Sequence, residues 1–69
     1  MINMSRLYRI KIVDCLDIVV EMESDEEAIN YAKELADTIC KQEKAIYVHV
    51  LAYNEASNAL RDLGRIYPR

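Results

Sequence analysis

Apolar and polar residues alternate from Arg6 to Val13, with Tyr8, Ile10 and Ile12 on one face and Leu7, Arg9, Lys11 and Val13 on the other. A period of two is that of a strand with one face buried. Leu16 to Glu23 repeats the pattern: Leu16, Ile18, Val20 and Met22 face one way, and Asp17, Val19, Glu21 and Glu23 the other. Only a loop of odd length brings both apolar faces to the same side of a hairpin, so the turn around Asp14 and Cys15 has three or five residues. The shorter loop sets Lys11 opposite Asp17 and the longer sets Arg9 opposite Glu21. Each register offers one favourable charge pair, so charge does not choose between them.

At Ser24 the period changes. Ser24-Asp25-Glu26-Glu27 is a capping box, in which the serine hydroxyl accepts from an early helix amide and the second glutamate reaches back. Ala28, Ile29, Ala32, Leu35, Ala36 and Ile39 then form an apolar stripe, with Tyr31 and Cys40 at its margins. Acidic residues open this helix and Lys41 and Lys44 close it, as the helix dipole favours. Continued further, the helix would bring Glu43 onto the apolar side, which predicts a stop near Lys41 or Gln42.

Ala45 to Tyr53 is rich in β-branched and aromatic residues and predicts a third strand, with Ile46, Val48, Val50 and Ala52 on one face and Tyr47, His49, Leu51 and Tyr53 on the other. Beyond Asn54, the residues Ala56, Ala59, Leu60 and Leu63 follow helical spacing, with Gly64 as a stop, and predict a second helix. The competing reading is a fourth strand over Leu60 to Tyr67, whose alternation would put Asp62 on the face of Leu60 and Ile66. The expected fold is therefore one α+β domain over residues 1–69, ββαβα, a three-stranded antiparallel sheet of order 2-1-3 with helices on one face. The alternative is ββαββ.

Composition narrows the functional classes. A chain of 69 residues draws roughly 3 to 5 kcal/mol from one core, so burial against a partner is a plausible supplement. A net charge of −3 disfavours generic attraction to nucleic acid or an anionic membrane. No basic leader precedes an apolar stretch, and no run approaches the ~20 apolar residues of a membrane span, so a cytoplasmic location is expected. Cys15 and Cys40 are expected to be free thiols, being too few for a secreted framework and outside any CxxC pair.

Site chemistry is sparse. His49 is the single histidine, and its same-face strand neighbours Tyr47 and Leu51 are neither metal ligands nor proton carriers suited to a dyad, so it reads as a half-exposed sheet residue. The acidic run Glu21, Glu23, Asp25, Glu26 and Glu27 lacks the glycine and alternating oxygen ligands of a calcium loop. The single glycine, Gly64, follows rather than precedes a predicted helix, so no phosphate loop is present. No catalytic residue, metal or cofactor is expected.

What remains is the sheet face away from the helices. Arg9, Lys11, Val19, Tyr47, His49, Leu51 and Tyr53 lie on it and are the expected interface residues. Small size, absent site chemistry and a mixed aromatic and charged face predict a non-enzymatic protein-binding module, in its simplest form a homodimer. One narrower form is an inhibitor of a larger nucleic-acid-handling protein, similar in size and charge to inhibitors that mobile elements encode, such as anti-CRISPR proteins. The alternative is a single-stranded nucleic-acid binder using Arg9, Lys11, Tyr47, His49 and Tyr53, because basic residues beside tyrosines resemble the base-stacking sheets of RNA-recognition domains in architecture.

Overall fold

The structure, a computed structural model, describes residues 6–54 and 59–69. The chain runs through β1 (Arg6–Ile12), β2 (Leu16–Met22), a helix that opens as α1 (Asp25–Leu35), β3 (Val48–Asn54) and β4 (Ala59–Ile66). All neighbouring strands are antiparallel, in the order β2-β1-β3-β4. The α+β class and the 2-1-3 order hold, but the sheet has a fourth strand where a second helix was expected.

The physical reason for that correction is one inserted residue. Val50 pairs with Gly64 and Leu51 with Asp62, so Leu63 is unmatched and forms a β-bulge. The bulge shifts the phase of alternation within β4. Leu60 and Asp62 share the open side of the sheet, whereas Leu63 and Ile66 both pack against the core. The helical spacing of Leu60 and Leu63 is thus that of a bulged strand, and the supposed conflict between Asp62 and Ile66 disappears. The expected start of the second helix, residues 55–58, lies outside the described residues.

Gly64 adopts φ +116, a conformation that side chains with a Cβ rarely take. Nothing lies within 4 Å of a Cβ built there, so backbone conformation alone requires glycine. Gly64→Ala is expected to cost about 1 to 2 kcal/mol, read as a lower urea midpoint, while an unchanged midpoint would show that the bulge relaxes freely.

The hairpin takes the three-residue register, with Lys11 opposite Asp17 and Ile12 opposite Leu16. Asp14 carries the turn at φ 58, which a short polar side chain tolerates, and the Cys15 amide donates to the Ile12 carbonyl at 3.0 Å. At the helix start the Glu27 amide donates to Ser24 Oγ at 3.2 Å. The Glu27 carboxylate accepts from the Glu23 amide at 2.8 Å, one residue earlier than the usual reciprocal bond. Ser24→Ala is expected to lower stability by about 1 kcal/mol, and an unshifted urea midpoint would remove the cap from the account.

Ala28, Ala32, Ala36 and Cys40 are all buried, a spacing of four that an α-helix alone does not sustain on one line. Ala36–Cys40 winds as a π-helix, whose wider turn cancels the drift and returns Cys40 to the core. Lys41–Glu43 resumes α geometry, and Lys44 ends it in the left-handed conformation at φ 57. The Ala45 amide then closes on the Cys40 carbonyl at 2.9 Å, a Schellman-type cap. The stop falls slightly beyond the expected Lys41 or Gln42, and β3 begins at Val48 rather than Ala45.

Small alanines let the helix approach the sheet closely. Beneath it Tyr8, Ile10 and Ile12 of β1 and Val48, Val50 and Ala52 of β3 are buried. The Tyr8 hydroxyl donates to Asp25 Oδ1 at 2.7 Å, and Arg61 of β4 donates to Asp25 Oδ2 at 2.9 Å. Asp25 therefore ties β1, β4 and the helix start together.

Candidate interaction face

The sheet face opposite the helix is organised in rows by strand register. One row is Asp17, Lys11, His49 and Arg65 across β2, β1, β3 and β4. The next is Val19, Arg9, Leu51 and Asp62. In the third, Glu21 pairs with Leu7 and Tyr53 with Leu60, and continuing the β1–β3 register by one step sets Leu7 beside Tyr53. No described element packs over these rows. Leu7, Val19 and Leu60 remain 40%, 54% and 41% exposed, although each is large and apolar.

All seven expected interface residues lie on this side. Arg9, Lys11, Val19, His49, Leu51 and Tyr53 occupy the strands, and Tyr47 immediately precedes β3. Arg9 does not use its directly opposite neighbour. It reaches diagonally to Asp17, with Nε at 2.8 Å from one carboxylate oxygen and Nη2 at 2.6 Å from the other. That bidentate pair holds Asp17 below the usual carboxylate range and raises Arg9.

His49 is not as isolated as its strand neighbours imply. Its Nε2 lies 3.0 Å from Asp62 Oδ1, which also accepts from the Gly64 amide at 2.8 Å. The Gly64 amide, followed by His49, lowers the Asp62 carboxyl from its ordinary value. A His–Asp pair can fix an imidazole tautomer for proton transfer, but a nucleophile must also be in reach. Here Cys15 sits in the hairpin turn, Cys40 in the core, and Ser24 and Thr38 on the helical side. The pair instead clamps the bulge of β4 to β3.

Tyr47 is packed by the end of the chain. Its ring centroid lies 5.7 Å from that of Tyr67 and 6.4 Å from that of His49, both edge-on, and the Arg65 guanidinium lies 5.0 Å over it. Asp62, Arg65, Leu60 and Tyr67 therefore belong to this face, and the helical reading of the C-terminal region hid them. Their signal was the pairing of an exposed aspartate with the glycine two residues later.

At one end of the molecule Val13, Asp14, Cys15, Glu43, Lys44, Ala45, Ile46 and Tyr47 line an open cleft of about 400 Å³. Among the described residues no three His, Cys, Asp or Glu side chains gather to hold a metal ion. No described helix is long and apolar enough to cross a membrane. Cys15 is exposed and Cys40 buried, and burial, followed by the proximity of Cys15, pushes the Cys40 thiol up. A thiol reagent is expected to label one cysteine quickly in the native chain and the second only on unfolding; equal rates would contradict the buried placement of Cys40.

Comparison with protein-family models, with curated proteins and with solved structures found no match.

Proposed function

We propose that the chain is a non-enzymatic protein-binding module that presents its bare sheet face to a partner. The observation that carries this reading is the apolar row of Leu7, Tyr53 and Leu60, with Leu51 and Val19 beside it, on one face with no described cover. Protein interfaces combine such an apolar centre with a polar rim. The rim here is already organised, because Arg9 and His49 each hold a carboxylate before any partner arrives. Groups paired in advance lose less on desolvation than lone charges.

The simplest assembly under this reading is a homodimer in the cytoplasm. Sedimentation across a dilution series tests it beside a Tyr47→Ser, Leu51→Ser double variant. The dimer predicts a mass above one chain for the wild type that falls on dilution, and a single-chain mass for the variant. A concentration-independent mass of 8.0 kDa for the wild type removes the homodimer and leaves a different protein as partner. The narrower form is an inhibitor of a nucleic-acid-handling protein, supported by size and acidic balance; capture from a bacterial lysate at physiological salt that retains no protein counts against it.

Single-stranded nucleic-acid binding is the second reading, favoured by Lys11 and Arg65 flanking His49 beside Tyr47. Against it, Arg9, Lys11 and Arg65 are balanced on this face by Asp17, Glu21 and Asp62. An oligonucleotide affinity that falls steeply with added salt would favour this reading over the first.

A further inference from the structure

The two outer strands of the sheet are built differently. β4 carries the bulge at Leu63, the left-handed Gly64, and Arg61 and Arg65 along its length, with Pro68 soon after. Bulges, charged side chains and proline are the devices that stop an edge strand from pairing with another chain. β2 has none of the first and last. Its seven residues pair with β1 without a register shift, and Leu16–Met22 contains no Lys, Arg, Gly or Pro.

A second observation points the same way. The inward side chains of β1 and β3 are buried, but those of β2, Leu16, Ile18, Val20 and Met22, are only partly so. The helix lies mainly over β3 and β4 and only grazes β2. A strand added outside β2 would lay its own apolar side chains against Ile18 and Val20 and complete that flank of the core.

Charge selects the occupant. On the open face this edge presents Asp17, Val19 and Glu21, with Glu23 just beyond, and Arg9 offsets one of the three carboxylates. A second copy of β2 pairing antiparallel about Val19 would set Asp17 opposite Glu21 twice, and like charges directly opposite are destabilising. A strand with Lys or Arg at those positions meets opposite charge instead.

We propose that the outer edge of β2 receives an extended segment of a partner protein as a fifth strand, and that this segment alternates basic residues on the open face with apolar residues on the helix side. The site is separate from the bare face, and the partner's basic character is of the kind found in nucleic-acid-handling proteins. The isotope-labelled full chain is titrated with a short acetylated peptide alternating arginine and valine, beside a counterpart alternating glutamate and valine, with hydrogen exchange followed by NMR. The expected result is protection of alternate β2 amides, those directed away from β1, with a dissociation constant below about 1 mM for the arginine peptide alone. Val19→Lys places a positive charge at the centre of the exposed side without touching the core, and should weaken binding about ten-fold or more. Equal binding of both peptides, absence of β2 protection, or indifference to Val19→Lys overturns the proposal. Protection that depends on protein concentration without peptide also overturns it, in favour of a second copy. Shifts confined to Arg9, His49 and Leu51 overturn it too, while leaving the bare-face reading intact.

Discussion

Ile10→Ala is expected to leave the chain at the edge of unfolding. Ile10 is fully buried at the centre of β1, flanked by Ile18 of β2 and Val50 of β3 beneath the alanine stripe of the helix. Removing such a side chain costs about 2 to 5 kcal/mol, from lost transfer free energy and the cavity left behind. The whole stability of a domain this small is roughly 3 to 5 kcal/mol, so the loss is comparable to the total. The alanines of the helix are already in contact range and cannot move far to fill the space. The control is Val19→Ala, at an exposed position on the same sheet, expected to stay within about 0.5 kcal/mol. Far-UV circular dichroism with urea reads both, and an Ile10→Ala midpoint equal to that of the wild type contradicts the core described here.

Asp25→Ala is the second large effect, at about 2 kcal/mol. It strands the buried Tyr8 hydroxyl, which loses its acceptor, and releases Arg61 of β4 from the helix start. An unsatisfied buried polar group costs about 1 to 3 kcal/mol. The Asp25 side chain is 35% exposed, so solvent screening reduces its share from the Arg61 and Arg6 pairs. The Tyr8 hydroxyl is the largest influence that holds the Asp25 carboxyl below the usual range, with Arg61 and Arg6 behind it. Burial, then the bond to Asp25, raises the Tyr8 phenol in turn.

The pH dependence follows from these directions. A carboxyl depressed in the folded chain binds fewer protons there than when unfolded, so its stabilisation is complete above the ordinary aspartate value of about 3.9. It is lost as pH falls from that value through the lower folded one. Asp17 and Asp62 are depressed as well and act in the same direction. The wild-type urea midpoint should therefore be flat in this respect above the aspartate range and fall below it, and the fall should be shallower in Asp25→Ala. Identical slopes for the two proteins would show that Asp25 is not the tie between strand, strand and helix.

The first hairpin and the helix were legible because each states its period without interruption. Tyr8, Ile10 and Ile12 alternate cleanly, and Ser24 to Glu27 announces the helix start in four residues. The C-terminal strand was not legible as a strand. A bulge consumes one residue of the alternation, and the resulting spacing of Leu60 and Leu63 coincides with that of a helix. The bond that betrays the strand, from the Gly64 amide to Asp62, is local in space but has no hydrophobic signature. The π turn was hidden for a related reason, since Ala36 and Cys40 fit an α-helical stripe nearly as well. The interface residues of β1, β2 and β3 followed from alternation alone. The partners Asp62 and Arg65 required the register of β4, which depends on contacts between distant parts of the chain.

The most direct measurement of the central claim is capture of partner proteins at physiological salt by three baits: the wild type, a Leu51→Ser, Tyr53→Ser variant of the bare face, and a Glu34→Ser, Lys41→Ser variant of the outer helix surface. Each bait is first shown to retain its urea midpoint. The account predicts that a protein retained by the wild type is also retained by the helix variant and lost from the sheet-face variant; retention by the sheet-face variant at the wild-type level, or loss from the helix variant alone, would contradict it.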